Sequence, residues 1–187
     1  MNKKKSWLIL LAIIITIGIL FIIIYSLNIS TDMSKLIENA LSKQYGIDSR
    51  IEVFDTYEIY NNEIVGFTIN ESKKCGFAVM KRNGNSRYKL IFVVRPERLI
   101  TRATDIFYEY IALYDERYEL GVEGYIVVLS MNAEFSKIKM VIDDKEPIYK
   151  EIKSPPSLTV LEYPIGTSKA EILFYDKSGN LIENSYR

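Results

Sequence analysis

The hydrophobic pattern opens with a run that shows no alternation. From Ser6 to Thr31 no residue is charged, and Leu8 to Leu27 is Leu, Ile and Phe apart from Ala12, Thr16, Gly18, Tyr25 and Ser26. A helix rises about 1.5 Å per residue, so roughly 20 apolar residues cross the ~30 Å hydrocarbon layer. At about −0.3 to −0.6 kcal/mol per Leu, Ile or Phe, such a run favours insertion by roughly 5–9 kcal/mol. Lipid offers the backbone no partners, which makes a helix the single-segment solution in spite of the many β-branched isoleucines. The pattern predicts a transmembrane helix over residues 6–28. A cleaved signal peptide is the competing reading, but its apolar core is about 7–15 residues long and ends at a small-x-small site. Neither feature is present, and a lipoprotein cysteine does not follow the run, since the single cysteine is Cys75.

Behind this segment the period becomes helical and then strand-like. Met33, Leu36, Ile37, Ala40 and Leu41 fall on one helical face, with Ser30 or Thr31 expected as cap and Gly46 at the far end. From Arg50 the period is two: Ile51, Val53, Tyr57 and Ile59 alternate with polar positions up to a turn expected at Asn61-Asn62. Strand-like runs at residues 64–70, 76–81 and 88–95 follow, the last two joined by Arg82-Asn83-Gly84-Asn85. Asn-Gly between apolar runs is a strong hairpin signal, because both residues tolerate positive φ. Residues 31–96 are therefore expected to form one amphipathic helix with a four-stranded antiparallel meander.

Residues 97–118 satisfy both periods. Leu99, Ile100, Ala103, Ile106, Phe107, Tyr110, Ile111 and Tyr114 fit a helical stripe, whereas Ile106, Tyr108, Tyr110, Ala112 and Tyr114 fit a strand. Aromatic and β-branched density favours a strand from about Thr104 to Tyr114. Further strands are expected at 125–131, 137–142, 148–152, 158–163 and 170–175, with turns at Asp143-Asp144, Ser154-Pro155-Pro156, Pro164 to Thr167 and Lys177 to Asn180. Short strands about ten residues apart predict a small β-sandwich over residues 97–187. The fold class expected overall is an N-terminal transmembrane helix followed by an α+β, mainly β, region.

Charge sets the topology. Lys3, Lys4 and Lys5 precede the apolar run, while Asn28, Ser30, Thr31 and Asp32 follow it. Positive flanks stay inside, so residues 1–5 are expected in the cytoplasm and the C-terminal region outside, with the chain a single-pass protein of the cell membrane. Trp7 and Tyr25 sit near the two ends of the run, where amphipathic rings prefer the headgroup level. With Lys3 to Lys5 set aside, the 24 acidic residues slightly outnumber the remaining basic ones. That balance argues against a nucleic-acid partner, which needs a concentrated positive face. One cysteine makes no intramolecular disulfide, so the core alone must hold the outer region, and Cys75 reads as a buried thiol in the run Gly76 to Val79.

The closing stretch Tyr175-Asp176-Lys177-Ser178-Gly179-Asn180-Leu181-Ile182 resembles the final hairpin of immunoglobulin-like extracellular modules. The chain as a whole resembles the small membrane-anchored surface proteins of Gram-positive bacteria that have no assigned function. The resemblance implies a surface location and names no activity.

Candidate chemistry is sparse. The sequence has no histidine, which removes the Ser-His-Asp triad, the Cys-His dyad and every His-ligated metal site. Asp143, Asp144 and Glu146 lack the spacing of a calcium loop and read as a solvated hairpin tip. Glu52, Glu58, Glu63, Glu109 and Glu119 have no spacing that selects a catalytic pair. No cofactor is expected. The remaining feature is aromatic: Phe107, Tyr108, Tyr110, Tyr114, Tyr118 and Tyr125 crowd one segment. On a strand alternate rings point to opposite faces, so Tyr108, Tyr110, Tyr114 and Tyr118 are the candidate binding surface, against the plainer reading that they pack on a sheet. The expectation is a non-catalytic, membrane-anchored extracytoplasmic module that binds a protein or cell-wall component. The alternatives are an envelope enzyme using carboxylates only, or a structural part of a membrane assembly.

Overall fold

The computed structural model describes residues 13–19, 29–69, 74–84, 87–96, 105–114 and 122–182. The chain is mainly β, and every strand pair is antiparallel. Residues 13–19 are helical, with Ile13, Ile14 and Ile17 exposed. Among the described residues no helix is long and apolar enough to cross a membrane. The rest of the segment 6–28, with Trp7 and Tyr25, lies outside the described residues.

The amphipathic stripe forms α1 (Met33–Tyr45), which buries Leu36, Ile37, Ala40 and Leu41. Its N-cap is Asp32, one or two residues later than expected: the Asp32 carboxylate accepts from the Lys35 backbone N–H at 3.2 Å, and the Ser30 hydroxyl instead accepts from the Asp32 N–H. Gly46 ends the helix at φ 65°, a conformation that costs glycine nothing, and its N–H returns to the last carbonyls.

Among the described residues twelve strands follow the chain order: β1 (Ile29–Ser30), β2 (Ile51–Ile59), β3 (Asn62–Ile69), β4 (Cys75–Arg82), β5 (Tyr88–Val93), β6 (Ile106–Tyr114), β7 (Val122–Ser130), β8 (Phe135–Ile142), β9 (Ile148–Glu151), β10 (Ser157–Tyr163), β11 (Ala170–Asp176) and β12 (Leu181–Ile182). Sheet A has the order β1-β5-β4-β3-β2, which contains the expected meander plus a short edge strand. Sheet B is β10-β7-β6 and sheet C is β12-β11-β8-β9. Within the ambiguous segment 97–118, Ile106–Tyr114 form the strand β6, as aromatic density indicated, and residues 97–104 and 115–118 lie outside the described residues.

Three apolar clusters join these parts in a stack. The first lies between α1 and sheet A, through Ile37, Leu41, Val65, Phe67 and Met80. The second lies between sheets A and B, through Ile64, Phe77, Val79, Phe107, Ile111, Val127 and Val160. The third lies between sheets B and C, through Ile106, Ile126, Val128, Ile138, Met140 and Phe174. Sheet B is thus covered on both faces, and β7 reads as an unbroken buried run from Tyr125 to Leu129. β8, covered on one face, buries Phe135, Ile138, Met140 and Ile142 and leaves the residues between them partly exposed. The second cluster also crosses position 96, so the two stretches read from the sequence as 31–96 and 97–187 share a core.

Two local expectations are corrected. Ile51, Val53 and Ile59 do not share a face: a bulge at Phe54, between Val53 and Asp55, resets the alternation. Ile51 and Val53 therefore pack toward α1, while Phe54 and Ile59 pack toward sheet B. The following turn is Tyr60-Asn61, not Asn61-Asn62; Tyr60 takes φ 56° and Asn62 begins β3.

Candidate binding face

β6 carries the candidate tyrosines. Its odd positions Phe107, Ile111 and Leu113 enter the core against sheet A, so the even positions Tyr108, Tyr110 and Tyr114 share the opposite face. Sheet C covers only the start of that face. Tyr108 lies against Phe174, with ring centroids 5.8 Å apart, and is half-buried. Tyr110 is 49% exposed and Tyr114 66%. The structure brings Tyr108 and Tyr110 together edge-to-face at 6.0 Å. Tyr114 stands further along the same face, and Tyr118 lies outside the described residues.

Sequence reading missed Tyr163. It sits at the end of β10, two strands from β6, and meets Tyr110 edge-to-face at 5.1 Å. The contact spans β7 at Gly124, which is paired with Ala112 on one side and Tyr163 on the other. A side chain at position 124 would run into the Tyr163 carbonyl oxygen. Burial, with Tyr108 and then Tyr163 nearby, raises the Tyr110 hydroxyl above the ordinary phenol pKa, so it stays a neutral donor.

β6 is also an edge. Among the described residues it pairs with β7 alone. Natural sheets blunt their edges with charge, brevity or bulges. β2 does so with Glu52, Asp55, Glu58 and its bulge, β9 with four residues that include Lys150 and Glu151, and β1 and β12 with two residues each. β10 lies beside β2. β6 has nine residues and one charge, Glu109.

Beside this edge runs a groove of about 520 Å³. Phe92, Val94 and Arg95 form one wall, Glu109 and Ile111 of β6 the other, and Tyr45 of α1 closes an end. The Tyr45 hydroxyl donates to the Val93 carbonyl at 3.2 Å, and the Arg95 guanidinium stands 5.7 Å above the Tyr45 ring centre. The groove therefore offers mixed polar and apolar walls with Arg95 and Glu109, next to a strand that pairs on one side only among the described residues.

The other chemical candidates are occupied by structural contacts. Cys75 is buried in the cluster between sheets A and B, and burial pushes its thiol up to about 11. Asp143 accepts from the Ser168 hydroxyl at 2.7 Å and from the Ser168 and Lys169 N–H groups, which tie the β8 turn to the start of β11 and hold its carboxyl below the usual range. Among the described residues no group of three His, Cys, Asp or Glu side chains is placed to hold a metal ion. Glu58 and Glu63 face each other across β2 and β3, and both bind Arg82, at 2.8 and 3.5 Å. Glu119 lies outside the described residues. No family model, curated protein or solved structure matches the chain.

Proposed function

We propose that this chain is a membrane-anchored, extracytoplasmic binding module without catalytic activity. Residues 6–28 are its anchor, residues 1–5 are cytoplasmic, and sheets B and C form the small sandwich read from the sequence. Its partner is a protein or cell-wall component that presents an extended segment to β6. The single observation carrying this reading is the long, nearly uncharged edge of β6 with Tyr110 and Tyr114 exposed beside a groove. An added strand gains main-chain hydrogen bonds, and side-chain pockets beside the edge give selectivity. Tyrosines supply rigid contact area with a polar tip.

The test is photo-crosslinking in living cells of the source organism, with a benzophenone amino acid at position 114 and, as control, at the exposed Tyr149 of β9. A discrete adduct from position 114 and none from 149 is the expected result. Equal yields at the two positions, or none at either with good expression, would overturn the reading. Impermeant protease added to whole cells tests the topology separately: it should digest the C-terminal region.

A further inference from the structure

A second cavity, of about 180 Å³, opens between the β2–β3 turn and the ends of β7 and β10. Tyr57 and Tyr60 stand at its mouth, 40% and 38% exposed, and Tyr125, 4% exposed, forms its floor. Ile59 and Val160 supply apolar wall, and Glu162, which faces Tyr125 across the β7–β10 pair, supplies a carboxylate. A second carboxylate reaches the same rings: Glu123 Oε2 accepts from the Tyr60 and Tyr125 hydroxyls, both at 3.4 Å. Among the described residues no basic side chain lines the cavity. Glu58 also borders it, but the Glu58 carboxylate is bound by Arg82.

We infer that this cavity binds an ammonium-type organic cation, held between the tyrosine rings and the Glu162 carboxylate, with the Glu123 carboxylate behind the Tyr60 and Tyr125 hydroxyls. Three considerations lead there. Tyrosine faces attract cations, most strongly where water is excluded, and recognition of substituted ammonium groups by aromatic walls is the main functional use of that attraction. Glu162 in the lining, with Glu123 at the tyrosine tips, leaves the space negative, and the neighbouring Arg82 is already paired with Glu58 and Glu63. The size also fits: at ~30 Å³ per water the volume holds roughly six waters, or an ammonium head with a few carbons. A bare divalent ion is a poorer match, since it needs about six or more oxygen ligands and, among the described residues, no group of three His, Cys, Asp or Glu side chains is placed to hold one.

The site is separate from the β6 edge, so each proposal stands or falls alone. The test uses the full chain in detergent micelles at constant ionic strength, with tyrosine ring NMR signals followed during titration. The probes are tetramethylammonium, n-butylammonium and the neutral isostere 3,3-dimethylbutanol. Saturable shifts with at least one ammonium probe, weakened roughly tenfold by Glu162→Gln and by Tyr57→Ala, are expected. Those two positions are exposed enough for the variants to fold, which far-UV circular dichroism checks. Saturation by butylammonium alone identifies a primary amine, such as a lysine side chain, as the source of the group. Saturation by tetramethylammonium alone identifies a quaternary headgroup, and both together a cavity indifferent to substitution. No saturation with either ammonium probe, equal binding of 3,3-dimethylbutanol, or identical affinities in both variants would overturn the inference.

Discussion

Gly124→Ala puts the tyrosine face to the test through its backbone. Gly124 lies on β7 between Ala112 of β6 and Tyr163 of β10. A methyl group there meets the Tyr163 carbonyl oxygen, and lies 3.5 Å from the Tyr163 ring. The obstructing atom is backbone and cannot swing aside, so β10 must shift at its end. Overpacking of this kind costs about 1–3 kcal/mol. The shift also moves Tyr163 off Tyr110, and an edge-to-face pair is worth about 0.5–1.5 kcal/mol. Relief of unfolded-chain entropy returns about 0.4–1 kcal/mol, which leaves a net loss of roughly 1–3 kcal/mol. Urea unfolding followed by circular dichroism should show a lower midpoint with an unchanged slope. Gly66→Ala is the control, since its methyl runs into the far end of the Phe54 ring, a side chain that is not fully buried, and otherwise only touches Leu158 Cβ at 3.4 Å. The reasoning fails if Gly124→Ala equals or exceeds the wild type in stability, or if the control is the more damaging of the two.

Other outcomes follow from single residues. Phe174→Ala removes the ring that packs on both Phe135 and Tyr108, and should cost about 3–5 kcal/mol in the same unfolding assay; a loss under 1 kcal/mol would contradict its place in the core. Cys75 should resist a small maleimide in the folded protein at pH 8 and react fully once unfolded, because its thiol is buried and titrates near 11; rapid stoichiometric labelling of the native chain would refute this. Asp143 and Asp176 both have folded pKa values below the ordinary range, chiefly through hydrogen bonds from Ser168 and from Asn180. Their stabilisation is therefore fully present above the unfolded carboxyl pKa and is lost as pH falls through the lower folded value. Carboxyl-carbon NMR titration should place both midpoints below the ordinary aspartate range, and Ser168→Ala should raise the Asp143 midpoint while leaving that of Asp176 in place; an unmoved Asp143 midpoint in that variant would count against the bond.

Elements with one dominant period were legible. The α1 stripe, the meander and the strands of sheet C could be read because each buries one face, or lies between clear turn signals. Features that depend on pairing were not. The bulge at Phe54 looks like ordinary alternation until β3 is set beside β2, and it then sends Ile51 and Ile59 into different clusters. Tyr163 is remote from Tyr110 in sequence, and only the β6-β7-β10 order brings the rings together. Gly124 was the available signal, as a glycine inside a strand marks close approach of another group. The ammonium cavity was invisible for the same reason, being assembled from β2, β7 and β10.

The register of β1 bears on which partner the β6 edge takes. β1 runs antiparallel to β5, with Ile29 opposite Lys89 and Ser30 opposite Tyr88. Moving back along β1 toward its N-terminus is therefore moving forward along β5, toward Phe92 and the groove wall. At about 3.3 Å per residue, Phe92 lies only ~10 Å beyond Lys89. On the anchoring proposal the membrane segment ends at residue 28, directly before β1, so the strand that pairs with β5 is the first element after the anchor. On that proposal the groove stays near the bilayer and is poorly placed for polymer in the outer wall. It is well placed for a segment of another membrane-held protein, whose confinement to the same surface raises its effective concentration without any new contact. Of the two proposed partner classes, the short chain distance between the proposed anchor and β1 thus favours protein.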